Sequence, residues 1–192
     1  MQQMIRLRGV MPVGLLALFL SGCASPSDSY FRGATDANVY VAPGQQAIKK
    51  VAIMPFKAPT ELIGASVSDL FVTEILKSGK YELVERSQMA QVLGEAELSL
   101  SGLSESKAAE VGNMMGADGV IIGTVDEYGA TASSGHAYPV VGITVRLIDC
   151  KKGKIMWSVS LAERAGSKST TLPQQARSVV HGMMAALYQN WK

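Results

Sequence analysis

The chain has 192 residues, 47% of them hydrophobic, which is enough for one globular domain with its own core. Its 18 basic and 16 acidic residues balance at 16 each once Arg6 and Arg8 of a targeting segment are set aside. A neutral working chain argues against nucleic acid as a partner.

Residues 1–22 have the pattern of a lipoprotein signal peptide. A basic start is followed by an apolar run, and Leu20-Ser21-Gly22-Cys23 resembles the bacterial lipobox, in which Cys23 is acylated, with palmitate among the chains. Each buried methylene contributes about 0.8 kcal/mol, so multiple chains would hold the protein to the bilayer. Ala24 instead of Asp favours, by resemblance to Gram-negative lipoproteins, the outer membrane. An ordinary signal peptide that contains a cysteine is the alternative.

Residues 23–47 are rich in Ser, Ala, Gly, Pro and Asn, and we predict that they form a lipidated tether. Several apolar residues in this tether are expected to dock on the domain or on a neighbour. They are Tyr30, Phe31, Val39, Tyr40 and Val41.

Residues 48–192 form the predicted domain, which begins with a strand at Lys50–Phe56. A helix follows from a cap at Thr60 to Gly79. The remaining predictions in chain order are a strand at 81–85, a short helix capped by Ser87, a turn-rich connection at 98–103, a helix from Ser104 to Gly116, a strand at 120–128, a loop of small residues at 130–138, a hairpin at 140–162, and a last helix from Thr171. This order predicts an α/β (α+β) fold, in which helices pack on a mixed sheet with a three-stranded antiparallel meander.

The hairpin alternates with a period of two, which is typical of strands with one buried face. One face carries Val141, Ile143, Val145, Leu147, Ile155, Trp157, Val159 and Leu161, and the other carries Val140, Gly142, Thr144, Arg146, Ile148, Met156, Ser158, Ser160 and Ala162. The second face is small and polar, so we expect water or a neighbouring molecule to cover it.

No pattern of an active site is present, so we predict a protein that is not an enzyme and that has no metal and no cofactor. Gly116, Gly119 and Gly123 lack the spacing of a phosphate loop, and close backbone packing explains them better. The two histidines have no second ligand at metal spacing. Asp126 and Glu127 are neighbours on a strand, so we expect them to point to opposite faces. With Cys23 acylated, no intramolecular disulfide is possible.

Several blocks in order resemble the CsgG-type lipoproteins of curli secretion, whose fold is shared with LpoB and the amino-terminal domain of TolB. The blocks are V-A-I-M-P-F, Y-E-L-V-E-R-S-Q-M, L-S-L-S-G-L-S, M-G-A-D-G-V-I-I-G-T-V and V-R-L-I-D-C-K-K-G-K-I-M-W-S, within residues 50–162. The hairpin half also resembles the PelC group of exopolysaccharide export. That resemblance implies a ring below the outer membrane. Segments 129–139 and 164–173 are too short for the membrane-crossing hairpins of the channel-forming members.

The resulting hypothesis is an outer-membrane lipoprotein on the periplasmic side that forms homo-oligomers within a secretion or export apparatus. Its partners would be the lipid bilayer, copies of itself and other envelope proteins. We predict an oligomer interface on the polar hairpin face, with Arg146 suited to a bidentate contact. The predicted interface residues are Thr144, Arg146, Ser158 and Ser160. The alternative is an LpoB-like activator that binds a peptidoglycan synthase as a monomer.

Overall fold

Six strands form one mixed sheet in the computed structural model, which describes residues 36–93, 104–133 and 135–191. The strands are β1 Asn38–Val41, β2 Lys50–Ile53, β3 Glu82–Leu83, β4 Gly119–Ser133, β5 His136–Asp149 and β6 Ile155–Arg164, in the sheet order β1-β6-β5-β4-β2-β3. β2 is parallel to β3 and β4, and the other pairs are antiparallel. The predicted fold class is therefore confirmed. Cys23, the signal peptide and the connection at 98–103 lie outside the described residues.

The helices are α1 Glu61–Ser78, α2 Arg86–Leu93, α3 Glu105–Met114 and α4 Leu172–Gln189. The predicted cap of α1 is confirmed, because Thr60 Oγ1 accepts from the backbone N–H of Ile63 at 3.3 Å. Thr171 forms a capping box with Gln174 at the start of α4. The prediction for Ser87 is wrong, since α2 begins one residue earlier. Within the described residues, no helix has both the length and the apolar character that crossing a membrane requires.

Helices cover both faces of the sheet, but to different extents. α1 and α4 pack on one face, where the apolar side of the hairpin forms the main core cluster around Trp157 and Leu147. The Trp157 indole N–H donates to the Tyr81 hydroxyl at 3.0 Å. Burial raises the pKa of that hydroxyl far above its ordinary value. α2 and α3 cover part of the other face, where Ile148 joins a second cluster. The hairpin face that the sequence predicts to be polar is therefore apolar and covered by helices at the end where Ile148 lies.

The strict alternation predicted for β6 is wrong at its first residues, because a β-bulge interrupts the pairing with β5. Leu147 pairs with Trp157, whereas Ile148 pairs with Ile155, so Met156 is the extra residue. Met156 then belongs to the main cluster, and Ile155 does not share the inner face with Trp157. One inserted residue exchanges the faces of the residues that precede it.

The predicted loop at 130–138 is wrong, because β4 and β5 continue through it as a hairpin. Pairing runs from Ala130 opposite Pro139 to Ser133 opposite His136. The guanidinium of Arg164 lies 5.0 Å from the ring centroid of Tyr138, which ties this extension to the end of β6. The small residues of this segment do not show the alternation that is typical of a strand. The hydrogen-bonded pairing in the buried part of the hairpin nevertheless continues through the segment.

Part of the predicted tether belongs to the sheet. Residues 38–41 form β1, which pairs with β6 so that Asn38 lies opposite Ser160. Val39 and Val41 pack against the main cluster, which confirms the expected docking of these two residues on the domain. β1 has only four residues, so the sequence of this segment does not show the pattern of a strand.

The close packing predicted for the glycines is confirmed at two of three positions. A Cβ atom on Gly123 would lie 2.8 Å from atoms of the Phe56 ring, and one on Gly119 would lie 2.8 Å from Leu147 Cδ1. Gly116 has open space instead, and its φ of 67° is what favours glycine there.

Candidate functional site

α2 and α3 cover only part of the second sheet face. The rest of that face carries no helix of the described chain, and we call it the open face. Cross-strand pairing arranges its side chains in two rows, Asn38–Ser160–Thr144 and Tyr40–Ser158–Arg146. The structure thus brings the four residues of the predicted interface together in two adjacent pairs. Tyr40, with 54% of its surface exposed, is the one large apolar side chain in these rows. Small polar neighbours around one exposed aromatic ring form a surface that suits a protein contact.

Arg146 is already engaged within the chain. Its Nη1 lies 3.0 Å from Glu105 Oε1 at the start of α3, and the two side chains are 43% and 44% exposed. A half-exposed pair of this kind contributes about 0–1 kcal/mol, so it positions the helix end more than it stabilises the fold. The partners are 41 positions apart in the sequence, so no local pattern indicates that they pair. Arg146 therefore borders the open face and is not a free contact residue in its centre.

Asp126 and Glu127 lie on the same face, which corrects the prediction that they point apart. A β-bulge interrupts the pairing of β4 with β5. Val125 pairs with Ile143, and Glu127 pairs with the residue before it, Gly142, so Asp126 is the extra residue. Thr144 Oγ1 donates to Asp126 Oδ2 at 2.7 Å on the open face. On the same face, a Cβ atom placed on Gly142 would lie 3.3 Å from the Cβ of Glu127.

These two carboxylates and Asp36 surround a cleft of about 600 Å³ at the end of the open face where Gly142 lies. We call the three residues the acidic shelf. The rest of the cleft lining is neutral, and it includes Asn38, Thr144 and Ser160. Burial, together with the charge of Asp36, raises the pKa of nearby Glu163. The shelf thus gathers three carboxylates beside small side chains, and the basic side chains Lys57 and Arg146 line the adjoining pocket that shares Asp126.

Lysines gather at the opposite end of the sheet, where β2 begins and β5 turns into β6. This lysine end consists of Lys49, Lys50, Lys151, Lys152 and Lys154. Asp118 accepts the backbone N–H groups of Lys49 and Lys50 at 3.2 and 3.0 Å. These hydrogen bonds, that of Lys50 first, and the nearby lysine charges lower the pKa of Asp118. Among the described residues, Lys152 is the one of these five lysines whose ammonium group forms an ion pair, with Asp149.

No catalytic constellation is assembled among residues 36–93, 104–133 and 135–191. His181 Nδ1 lies 3.5 Å from Oε2 of Glu74, whose Oε1 pairs with Lys77, so this histidine lies beside a surface ion pair. No group of three acidic, histidine or cysteine side chains is placed to hold a metal ion in the same part of the chain.

Cys150 is buried under α3, where burial raises the pKa of its thiol to about 11. A buried, protonated thiol reacts slowly because the thiolate is the nucleophile. In a Cys23→Ser chain, we expect iodoacetamide at neutral pH to label Cys150 at least about 100-fold more slowly in the native than in the urea-unfolded protein. Mass spectrometry of timed samples measures the two rates, and equal rates would contradict the burial described.

The fold and the open face define a class of mixed-sheet proteins that carry helices on both faces and leave part of one face uncovered. The family model described as curli production assembly/transport component CsgG matches residues 44–179. The chain therefore belongs to the CsgG family, which confirms the predicted family. No curated protein sequence matches the chain.

Two solved structures share the fold. The PelC dodecamer from Paraburkholderia phytofirmans is 21% identical, with a TM-score of 0.58, over 79% of this chain and 96% of that chain. Lipoprotein GNA1162 from Neisseria meningitidis is also 21% identical, with a TM-score of 0.52, over 71% of this chain and 98% of that chain. At these identities the likeness concerns the fold alone, and it extends over nearly the whole of both relatives.

Proposed function

We propose that the chain is an outer-membrane-anchored periplasmic lipoprotein that assembles with copies of itself as an accessory component of a secretion or export apparatus. The open face carries this proposal, because it combines small polar side chains with the exposed ring of Tyr40 on a sheet surface that no helix of the described residues covers. The family, described as a component of curli assembly and transport, supports the setting. The lipobox at Cys23 supports the anchor. In this role the protein binds and needs no catalytic group.

Self-assembly has support from a relative with the same fold. PelC is described as a dodecamer, and its structure aligns with 79% of this chain. Thr144, Ser158 and Ser160 present short side chains that let a neighbour approach the sheet closely. Tyr40 adds an exposed apolar ring to the same surface. The buried contact would therefore combine an aromatic anchor with small polar residues, as in many protein interfaces.

Ser160→Arg places a long charged side chain in the centre of the open face and is expected to weaken self-association by at least about 100-fold. The reason is that the long side chain occupies the space that a closely approaching neighbour would fill, and overpacking of this kind costs about 1–3 kcal/mol or more. Sedimentation velocity of the full chain in detergent, over a range of protein concentrations, measures the effect. Ser169→Arg, at an exposed position between β6 and α4, is the matched control and should assemble like the wild type.

Arg146→Glu would be a poorer test, because it places a second carboxylate against Glu105 and disturbs α3. Unchanged assembly of Ser160→Arg would exclude the open face as the interface. A wild-type chain that stays monomeric at the highest concentration would overturn self-assembly. That result would favour the alternative of a monomeric activator of a cell-wall synthase.

A further inference from the structure

Opposite charges lie at opposite ends of the same sheet. The acidic shelf carries Asp36, Asp126 and Glu127. Its cleft has no basic side chain in its lining, and only Asp126 also lines the adjoining pocket that holds Lys57 and Arg146. At the lysine end, Lys152 Nζ lies 3.9 Å from Asp149 Oδ2, and this is the one ion pair formed by these lysines among the described residues. The working chain is neutral overall. Its charge is therefore separated rather than absent.

The two ends are too far apart to neutralise each other. β5 runs from Gly142 at the shelf to Asp149 at the lysine end, and seven steps of about 3.3 Å span roughly 23 Å. The Debye length at physiological ionic strength is about 8 Å, so each end is screened from the other within one molecule. A second molecule can bring the opposite charges within a few ångströms.

Local structure accounts for only one of the two charged ends. The carboxyl end of α3 lies at the lysine end, where Asn113 Nδ2 donates to the Cys150 carbonyl at 2.7 Å. Lysines near helix carboxyl ends offset the negative end of the dipole, which gives them a structural role. No comparable reason holds for the shelf. The hydrogen bond from Thr144 satisfies Asp126 alone, and no cation within ion-pair distance faces Asp36 or Glu127 in the described chain.

We infer that the lysine end of one copy binds the acidic shelf of the next copy, head to tail. This inference rests on the proposed self-assembly and assigns its two complementary surfaces. Two different surfaces make the contact heterologous, so repetition generates a ring if the rotation closes. The charges set the register and the rate of encounter, and burial of the apolar ring of Tyr40 beside the shelf adds to affinity.

Charge reversal tests this inference with the full chain in detergent. The first variant, Lys151→Glu with Lys154→Glu, leaves three lysines against four carboxylates at the lysine end, because Asp118 and Asp149 also lie there, and so makes both surfaces acidic. The second, Asp36→Lys with Glu127→Lys, leaves two lysines against Asp126 at the shelf and makes both surfaces basic. We expect each variant alone to associate about 100-fold more weakly than the wild type, because like charges meet in the interface. An equimolar mixture should assemble again, with the two variants alternating. Sedimentation velocity and native mass spectrometry give the sizes and the composition.

The matched control reverses two lysines outside both surfaces, Lys107→Glu with Lys168→Glu, and should assemble like the wild type. Circular dichroism shows whether each variant is folded. If a double variant is not folded, the single change Lys154→Glu or Asp36→Lys takes its place. A wild type that assembles while either reversed variant also assembles alone would overturn the head-to-tail contact and leave self-assembly standing. A mixture that stays monomeric would overturn it as well. A monomeric wild type would instead contradict the proposed function.

Discussion

Replacing Trp157 with alanine is expected to lower the free energy of unfolding by about 3–5 kcal/mol. The indole lies at the centre of the main cluster with no exposed surface, between β5 and the helices on the inner face. Alanine leaves a large cavity there and removes the donor that Tyr81 accepts at 3.0 Å. Urea denaturation measures the change as a lower midpoint with an unchanged slope.

Two conservative variants separate the ring from the hydrogen bond. Tyr81→Phe keeps the packing but leaves the indole N–H without its partner, which costs about 1–3 kcal/mol. Trp157→Phe keeps an aromatic ring and should fall between Tyr81→Phe and Trp157→Ala. A loss below about 1 kcal/mol for Trp157→Ala would mean that the site collapses around the change, contrary to a closely packed cluster at this position.

Sequence reasoning identified the elements whose signals lie within a few residues. Thr60 and Thr171 accept backbone N–H groups three residues later, as a cap residue before an apolar stripe predicts. The alternation from Val141 to Leu147 faces the main cluster as predicted. Each of these signals depends on local geometry, and a single sequence displays it in full.

Features that depend on pairing were hidden. A bulge adds one residue to one strand, and nothing in the composition around Asp126 or Met156 indicates where the register shifts. β1 pairs with a strand more than a hundred residues later, with Asn38 opposite Ser160, so its edge position could not be read from its four residues.

Sequence reasoning predicts the hairpin residues of the candidate surface, but it does not predict the negative charge of the acidic shelf beside them. Thr144 and Ser160 are cross-strand neighbours, as the period of two requires once β5 and β6 form a hairpin. The acidic shelf needs the bulge at Asp126 and the pairing of the edge strand β1, which places the preceding residue Asp36 beside it, and both are tertiary features. The part of the surface encoded by one hairpin was therefore accessible from the sequence, and the part contributed by three separate segments was not.

Gly64→Ala is expected to destabilise the fold by about 1–3 kcal/mol, although alanine favours a helix by about 1 kcal/mol over glycine. Gly64 lies in the first turn of α1, where an added Cβ atom would overlap the backbone carbonyl of Phe56. Phe56 cannot move away, because its ring already lies against Gly123 on β4. The helix itself would have to shift, and its apolar contacts with the main cluster would weaken. Thermal and urea unfolding of the variant measure the loss.

Gly182→Ala in α4 is the matched control, because its new Cβ atom would lie 3.2 Å from Leu161 Cδ2, the mobile end of a side chain. A small rotation of that leucine removes the contact, so the helix propensity of alanine should leave the free energy of unfolding within about 1 kcal/mol of the wild type. Equal effects of the two substitutions would show that the obstacle at Gly64 yields as easily as a side chain. A larger loss at Gly64 identifies the backbone of Phe56 as the rigid stop that fixes α1 against the sheet.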